Sequence, residues 1–122
     1  MRRLTNKELD IMAIFWHHPG ARFVKEIHDF CSDPKPHINT VSTQVRTLEK
    51  DGFLAHKTIG GSFQYYPLLS EEQYRKEFLT VFVKNFFGNS YRDVVSSFVH
   101  DEKISVDELE DLIRQVRAAH EE

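Results

Sequence analysis

A single cysteine, Cys31, stands in this chain of 122 residues. That excludes an internal disulfide framework and fits a reducing compartment. The thiol is expected to pack as a small hydrophobe, because no His/Asn context for a nucleophile accompanies it. Long apolar runs are lacking as well. None approaches a membrane span, and Met1-Arg2-Arg3 leads into a polar helix start instead of the apolar region of a signal peptide. A cytoplasmic protein with no membrane insertion is expected. Glycines are few, and the pair Gly60-Gly61 reads as a turn, not as a phosphate cradle; no Ser/His/Asp order stands out. Seven histidines invite a metal reading, but His28 with Cys31 and the adjacent His17-His18 lack a second cluster to complete a four-ligand zinc pattern. His17 and His18 look like helix-end residues, where a partly charged imidazole is favourable. Metal: none, cofactor: none, and no enzyme activity is the resulting expectation.

Net positive charge is also missing, since the formal total is −3. The total hides an asymmetry. Residues 1–67 hold nine Lys/Arg against seven Asp/Glu, a balance of +2 with five His, whereas residues 68–122 hold seven against twelve, a balance of −5. Two functional halves are implied.

What the chain does have is a 40% hydrophobic fraction with ten Phe, four Tyr and one Trp, enough apolar surface for a core. Thr5-Asn6-Lys7-Glu8 has capping-box spacing, and Leu9, Met12, Ala13 and Trp16 then recur at helical period, widened by Ile11, Ile14 and Phe15. Pro19-Gly20 ends this helix. Ala21-Arg22-Phe23 can pair as an edge strand, and a second helix follows with Val24, Ile27, Phe30 and Cys31 inward. Pro34 and Pro36 break the chain before a third helix.

That third helix, Ile38 to the glycine Gly52, organises the rest. At about 100° per residue, Ile38, Val41, Val45 and Leu48 share one stripe, while Asn39, Thr40, Thr43, Arg46, Thr47 and Lys50 lie opposite. The outer face carries no acid. Hydroxyls, an amide, a guanidinium and an ammonium are groups that meet phosphates or base edges. Phe53–Ile59 and Ser62–Leu68 flank Gly60-Gly61 as a two-stranded hairpin. Helix, short strand, helix, turn, helix and hairpin is the order of a winged helix-turn-helix. In this reading Thr40, Thr43 and Arg46 read bases, with Thr47 on the same face. Asn39, Ser42 and Lys50 hold phosphates or set register, and the wing residues His56, Lys57, Ser62 and Gln64 lie along neighbouring phosphates. An ordinary amphipathic surface helix with a plain edge hairpin is the bland alternative.

From Ser70 onward the pattern is helical only. Capping signals at Ser70…Gln73, Ser90…Asp93 and Ser105…Glu108 open three helices. Tyr74, Phe78, Val81, Phe82 and Phe86, then Val94, Val95, Phe98 and Val99, then Leu109, Leu112, Ile113 and Val116 mark their inner faces. These helices carry more large apolar side chains than about 50 residues can cover. A second copy of the chain is the simplest cover, with dimerisation resting on Phe82, Phe86, Val95, Phe98, Leu109, Leu112, Ile113 and Val116; folding back as a monomeric cap is the alternative. The fold class expected is mainly α with a small β-hairpin. A winged helix-turn-helix DNA-binding domain over 1–69 precedes a C-terminal helical dimerisation region over 70–122. The function expected from the residues is binding of double-stranded DNA, as a homodimer, at a palindromic site. The acidic total leaves a second reading open, a winged-helix protein–protein adaptor that does not bind DNA.

With both halves read, the chain resembles the BlaI/MecI family of penicillinase and methicillin-resistance repressors over nearly its whole length. The resemblance is carried by Leu4-Thr5…Glu8-Leu9-Asp10-Ile11-Met12…Trp16, by Thr40-Val41-x-Thr43…Leu48-x-Lys50-x-Gly52 and by Tyr65-Tyr66. Phe87-Gly88 before Val94-Val95-x-x-Phe98, and Ile104-Ser105…Glu108-Leu109…Leu112, complete it. It implies a homodimeric transcriptional repressor with an intertwined helical dimerisation region, inactivated when a membrane sensor-protease system leads to cleavage in that region. Three positions on the third helix depart from the family pattern. Ser42 stands where relatives often have Lys, and Arg46-Thr47 replaces an Asn-Arg pair, moving the guanidinium by one residue, about 100° around the helix. The bond corresponding to the relatives' Asn-Phe cleavage site is Ser97-Phe98. The C-terminal cysteine motif of copper-responsive relatives has no counterpart, which disfavours a copper switch.

Overall fold

The computed structural model describes residues 1–120. Its elements run α1 (Asn6–His17), β1 (Arg22–Phe23), α2 (Val24–Phe30), α3 (Ile38–Lys50), β2 (Leu54–Ile59), β3 (Ser62–Pro67), α4 (Glu71–Phe87), α5 (Tyr91–His100) and α6 (Val106–His120). This is the mainly helical chain with a small sheet that the pattern predicts. Two compact units result, Met1–Phe78 and Leu79–Glu122, so that the first turns of α4 belong to the first unit.

In the first unit, Thr5 caps α1. Its hydroxyl accepts the Glu8 N–H at 3.2 Å while the Glu8 carboxylate accepts the Thr5 N–H at 2.9 Å. The inward sides of α1, α2 and α3 meet the base of the hairpin in one core of Leu4, Ile11, Met12, Phe15, Ile27, Val41, Val45, Leu48, Phe53, Leu54 and Tyr65, with Ile14 and Tyr74 at its edge. Tyr74 brings α4 into it: the Tyr74 hydroxyl accepts the Leu4 N–H at 2.9 Å, and the Trp16 indole N–H donates to the Leu69 carbonyl at 3.1 Å. Both polar tips are thereby satisfied where burial would otherwise leave them costly.

β3 is the central strand of an antiparallel sheet ordered β1-β3-β2. Arg22 and Phe23 pair with Tyr65 and Gln64, which places the expected edge strand. The hairpin turns at Gly60 and Gly61, whose φ values of 57° and 83° are both left-handed, the backbone that a tight two-residue hairpin needs. Three apolar expectations fail in this unit, at Phe30, Ile38 and Phe78, the last 38% exposed on α4. Phe30, expected inward, is 41% exposed, because α2 ends there; its ring is instead held between the His18 imidazole at 4.5 Å and the Arg22 guanidinium at 4.6 Å. Ile38, the first residue of α3, is likewise left at the margin of the core.

The second unit contains the end of α4, then α5 and α6. Ser90 caps α5, its hydroxyl accepting the Asp93 N–H at 3.1 Å, and Ser105 caps α6 by accepting from Glu108 at 3.1 Å. Among its described residues only Val83 and Val94 are buried. Val95, Phe98, Leu112, Ile113 and Val116, expected on inner faces, are open in the single chain, and Phe86 is 74% exposed. These side chains are left uncovered in the single chain.

Candidate nucleic-acid interface

α3 is held at both ends by its own sequence. At its start, His37 Nδ1 accepts the Asn39 N–H at 3.0 Å, a cap no serine or aspartate announces. At its end, Gly52 adopts φ 87°, the Gly52 N–H reaches the Glu49 carbonyl at 3.1 Å and the Phe53 N–H the Leu48 carbonyl at 2.9 Å. These two bonds form a Schellman closure that releases the chain into β2. Between the ends, Val41, Val45 and Leu48 are fully buried, and Asn39, Thr40, Thr43, Arg46, Thr47 and Lys50 are exposed on the other side. Ser42 is half-buried between the two faces. The threonines are pinned: the Thr43 hydroxyl donates to the Asn39 carbonyl at 2.9 Å and the Thr47 hydroxyl to the Thr43 carbonyl at 3.0 Å. Each hydroxyl proton is thus used internally while the oxygen keeps a lone pair outward. Arg46 leans toward Thr43 Oγ1 at 3.5 Å and is otherwise free to extend.

The acids beside this face are both engaged, which sequence reasoning missed. Arg2 Nε donates to Asp51 Oδ2 at 2.8 Å, and the two terminal nitrogens of the same guanidinium donate to the two Glu8 oxygens at 2.9 and 2.6 Å. The guanidinium also lies over the Phe53 ring at 5.3 Å. One arginine therefore joins the start of the chain, the first turn of α1 and the end of α3. The Arg2 hydrogen bonds hold the Glu8 carboxyl down to about 2, against the opposing pull of burial. Glu49 accepts a hydrogen bond from His56 Nδ1. Neither pairing has a local sequence signature: Arg2 and Asp51 lie 49 positions apart, and Glu49 and His56 sit in different elements on either side of the turn that ends α3.

The wing residues fall on two faces. Lys57 is opposite Gln64 and Ile59 opposite Ser62, whereas His56 is opposite Tyr65 and Thr58 opposite Phe63. Cross-strand partners share a face and neighbours alternate, so Lys57, Ser62 and Gln64 form one face and His56 belongs to the other, with the buried Tyr65. Burial pushes the Tyr65 phenol up, and the Glu49 carboxylate adds to the effect. Cys31 is not part of this face: its thiol donates to the Ile27 carbonyl at 3.4 Å, and burial raises it further from ionisation. Among the described residues no three His, Cys, Asp or Glu side chains gather as a metal site, and no helix is long and apolar enough to cross a membrane.

Three helices closed by a hairpin, with a polar outer face on the third, define a winged-helix protein. The sequence profile of the penicillinase repressors matches residues 4–118, and the chain belongs to that family of transcriptional repressors. It is 28% identical over 111 residues to the methicillin resistance regulatory protein MecI of Staphylococcus aureus strain N315, covering 89% of each chain. It is similarly 28% identical, with the same coverage, to the MecI of Mammaliicoccus sciuri. To the penicillinase repressor of Bacillus licheniformis it is 24% identical over 110 residues, 90% of this chain and 86% of that one. The family is not an enzyme class.

Proposed function

We propose that the protein is a homodimeric repressor that binds a palindromic double-stranded DNA operator. Residues 1–69 would serve as the DNA-binding domain and residues 70–122 as the dimerisation domain. The observation that carries the reading is the division of α3, whose apolar side is sealed in the core while the six polar residues opposite remain exposed. Glu49 and Asp51, the acids next to that face, are tied to His56 and Arg2. In this reading Thr40, Thr43, Arg46 and Thr47 meet base edges. Asn39, Ser42 and Lys50, with Lys57, Ser62 and Gln64 on the wing, serve phosphate contact and register, whereas His56 lies on the other face of the wing. The open apolar side chains of the second unit, Phe86, Val95, Phe98, Leu112, Ile113 and Val116 with the half-buried Phe82 and Leu109, are the surface a second copy would cover. A sensor-protease system acting on this half would find Ser97 and Phe98 exposed within α5.

Binding titrations at several salt concentrations test the reading. The duplexes are selected from a random pool by the protein itself. Arg46→Ala is expected to cost roughly 1–3 kcal/mol and to relax one base position, whereas Lys57→Ala weakens all duplexes alike and flattens the salt dependence. Absence of any salt-sensitive duplex retention by the parent protein would return the winged helix to an adaptor role.

A further inference from the structure

We infer that His56 and Glu49 act as a positioning pair that fixes the wing against the end of α3, His56 serving DNA binding through wing geometry instead of touching phosphate; this rests on the DNA-binding reading above. Three observations converge on it. First, the register puts His56 on the hairpin face that carries the buried Tyr65, opposite to the face of Lys57, Ser62 and Gln64. Second, the His56 ring is occupied on every side that the structure describes. Its Nδ1–H is given to Glu49 Oε2, its plane stacks on Phe63 at 3.9 Å and 16°, and the Tyr65 ring meets it edge-on at 5.7 Å. Third, Glu49 and His56 are each only 29% exposed, so solvent competes little with the bond. The pair is a polar link between the last turn of α3 and the middle of β2, and Phe63 extends it to the outer part of β3, the second residue after the turn.

The physical consequence is a wing with a set direction. A two-stranded hairpin alone is marginally stable and free to twist. Bonding its third strand-residue pair, counted from the base of the hairpin, to the helix that carries Arg46 and Lys50 fixes the angle between helix face and wing before DNA arrives, so less ordering is needed on binding. The same bond holds the Glu49 carboxylate toward the imidazole and away from incoming phosphates.

The sign of one substitution separates positioning from simple charge. Glu49→Gln removes a negative charge beside the proposed DNA face. Pure electrostatics therefore makes the variant bind duplex more tightly. Glutamine still accepts from the imidazole but without the charge, so weakening of the positioning pair makes the variant bind less tightly, on the order of severalfold, the difference between a charge-assisted and a neutral hydrogen bond. The experiment measures affinity for duplexes selected by the parent protein, at several salt concentrations, for Glu49→Gln, His56→Ala, the double variant and Phe63→Leu, together with amide exchange of residues 56–64 in the free proteins. His56→Gln, which keeps an N–H donor for Glu49, serves as the conservative rescue. The expected result is weaker binding and faster wing exchange for both single variants, an unchanged salt slope for His56→Ala, and a double variant no worse than the worse single one. His56→Gln should recover part of the affinity, and Phe63→Leu, at an exposed position that does not threaten folding, should show a smaller effect of the same sign. Parent binding with Glu49→Gln equal or tighter, or unchanged wing exchange in the variants, overturns the positioning role and leaves the DNA reading standing. Failure of the parent to retain any duplex overturns both.

Discussion

Neutralising Glu8 should destabilise the first unit by an amount that shrinks as the solution is acidified. Glu8 is buried, with a side chain only 9% exposed, and its carboxylate receives both terminal nitrogens of Arg2 and the Thr5 N–H. Its titration is held at about 2 against an ordinary 4.5. At about 1.36 kcal/mol per pH unit, that gap corresponds to at most about 3 kcal/mol of stability. Arg2 is 37% exposed, so water screens the pair and about 2 kcal/mol is the better expectation. Because the folded-state value is depressed, the contribution is complete above the unfolded value of about 4.5 and is lost as pH falls toward 2. Glu8→Gln is the appropriate perturbation, since glutamine keeps the shape and still accepts the Thr5 N–H. Urea denaturation of parent and variant should give a difference of about 2 kcal/mol at pH 7 and about half that near pH 3. A difference that stays constant between those two pH values would refute the assignment of the stability to this ion pair.

Other outcomes follow from the same coordinates. Leu112→Asp puts a charge on an apolar surface that is 49% exposed in the single chain. It should leave the chain folded but shift sedimentation at micromolar concentration toward monomer, and a variant that sediments as the parent does would place α6 outside the interface. Gly52→Ala meets no neighbouring atom within 4 Å, so its cost is the left-handed backbone alone, about 1 kcal/mol in thermal or urea unfolding. Leu48→Ala, by contrast, opens a void in a fully buried site and should cost about 2–5 kcal/mol in the same measurement.

The features legible in the sequence were those encoded within a few residues. Thr5 with Glu8, Ser90 with Asp93 and Gly60-Gly61 each specify a cap or a turn by short-range geometry, and each forms as spaced. The alternation of Val41, Val45 and Leu48 with their polar neighbours likewise separated the two sides of α3 before any coordinates. Arg2 was not legible, because its partner Asp51 lies 49 positions away and nothing in the N-terminal arm marks it. His56 and Lys57 were grouped on one wing surface, although adjacent strand residues must point to opposite sides; strict application of the two-residue period would have parted them. Phe30 shows the limit of helical period near a terminus, where a seven-residue helix stops before its last apolar residue can turn inward.

On the DNA-binding reading proposed above, the division of α3 into two sides also bears on how such a chain can diverge. Val41, Val45 and Leu48 supply its packing, and Thr43, Arg46 and Thr47 contribute none, so exchanges at the latter three fall in the class of surface changes that alter stability by no more than about 0.5 kcal/mol. A duplicated gene could acquire new target preferences through two or three such exchanges while its scaffold stayed untouched. Descendants with nearly identical interiors could then answer to unrelated stretches of genome.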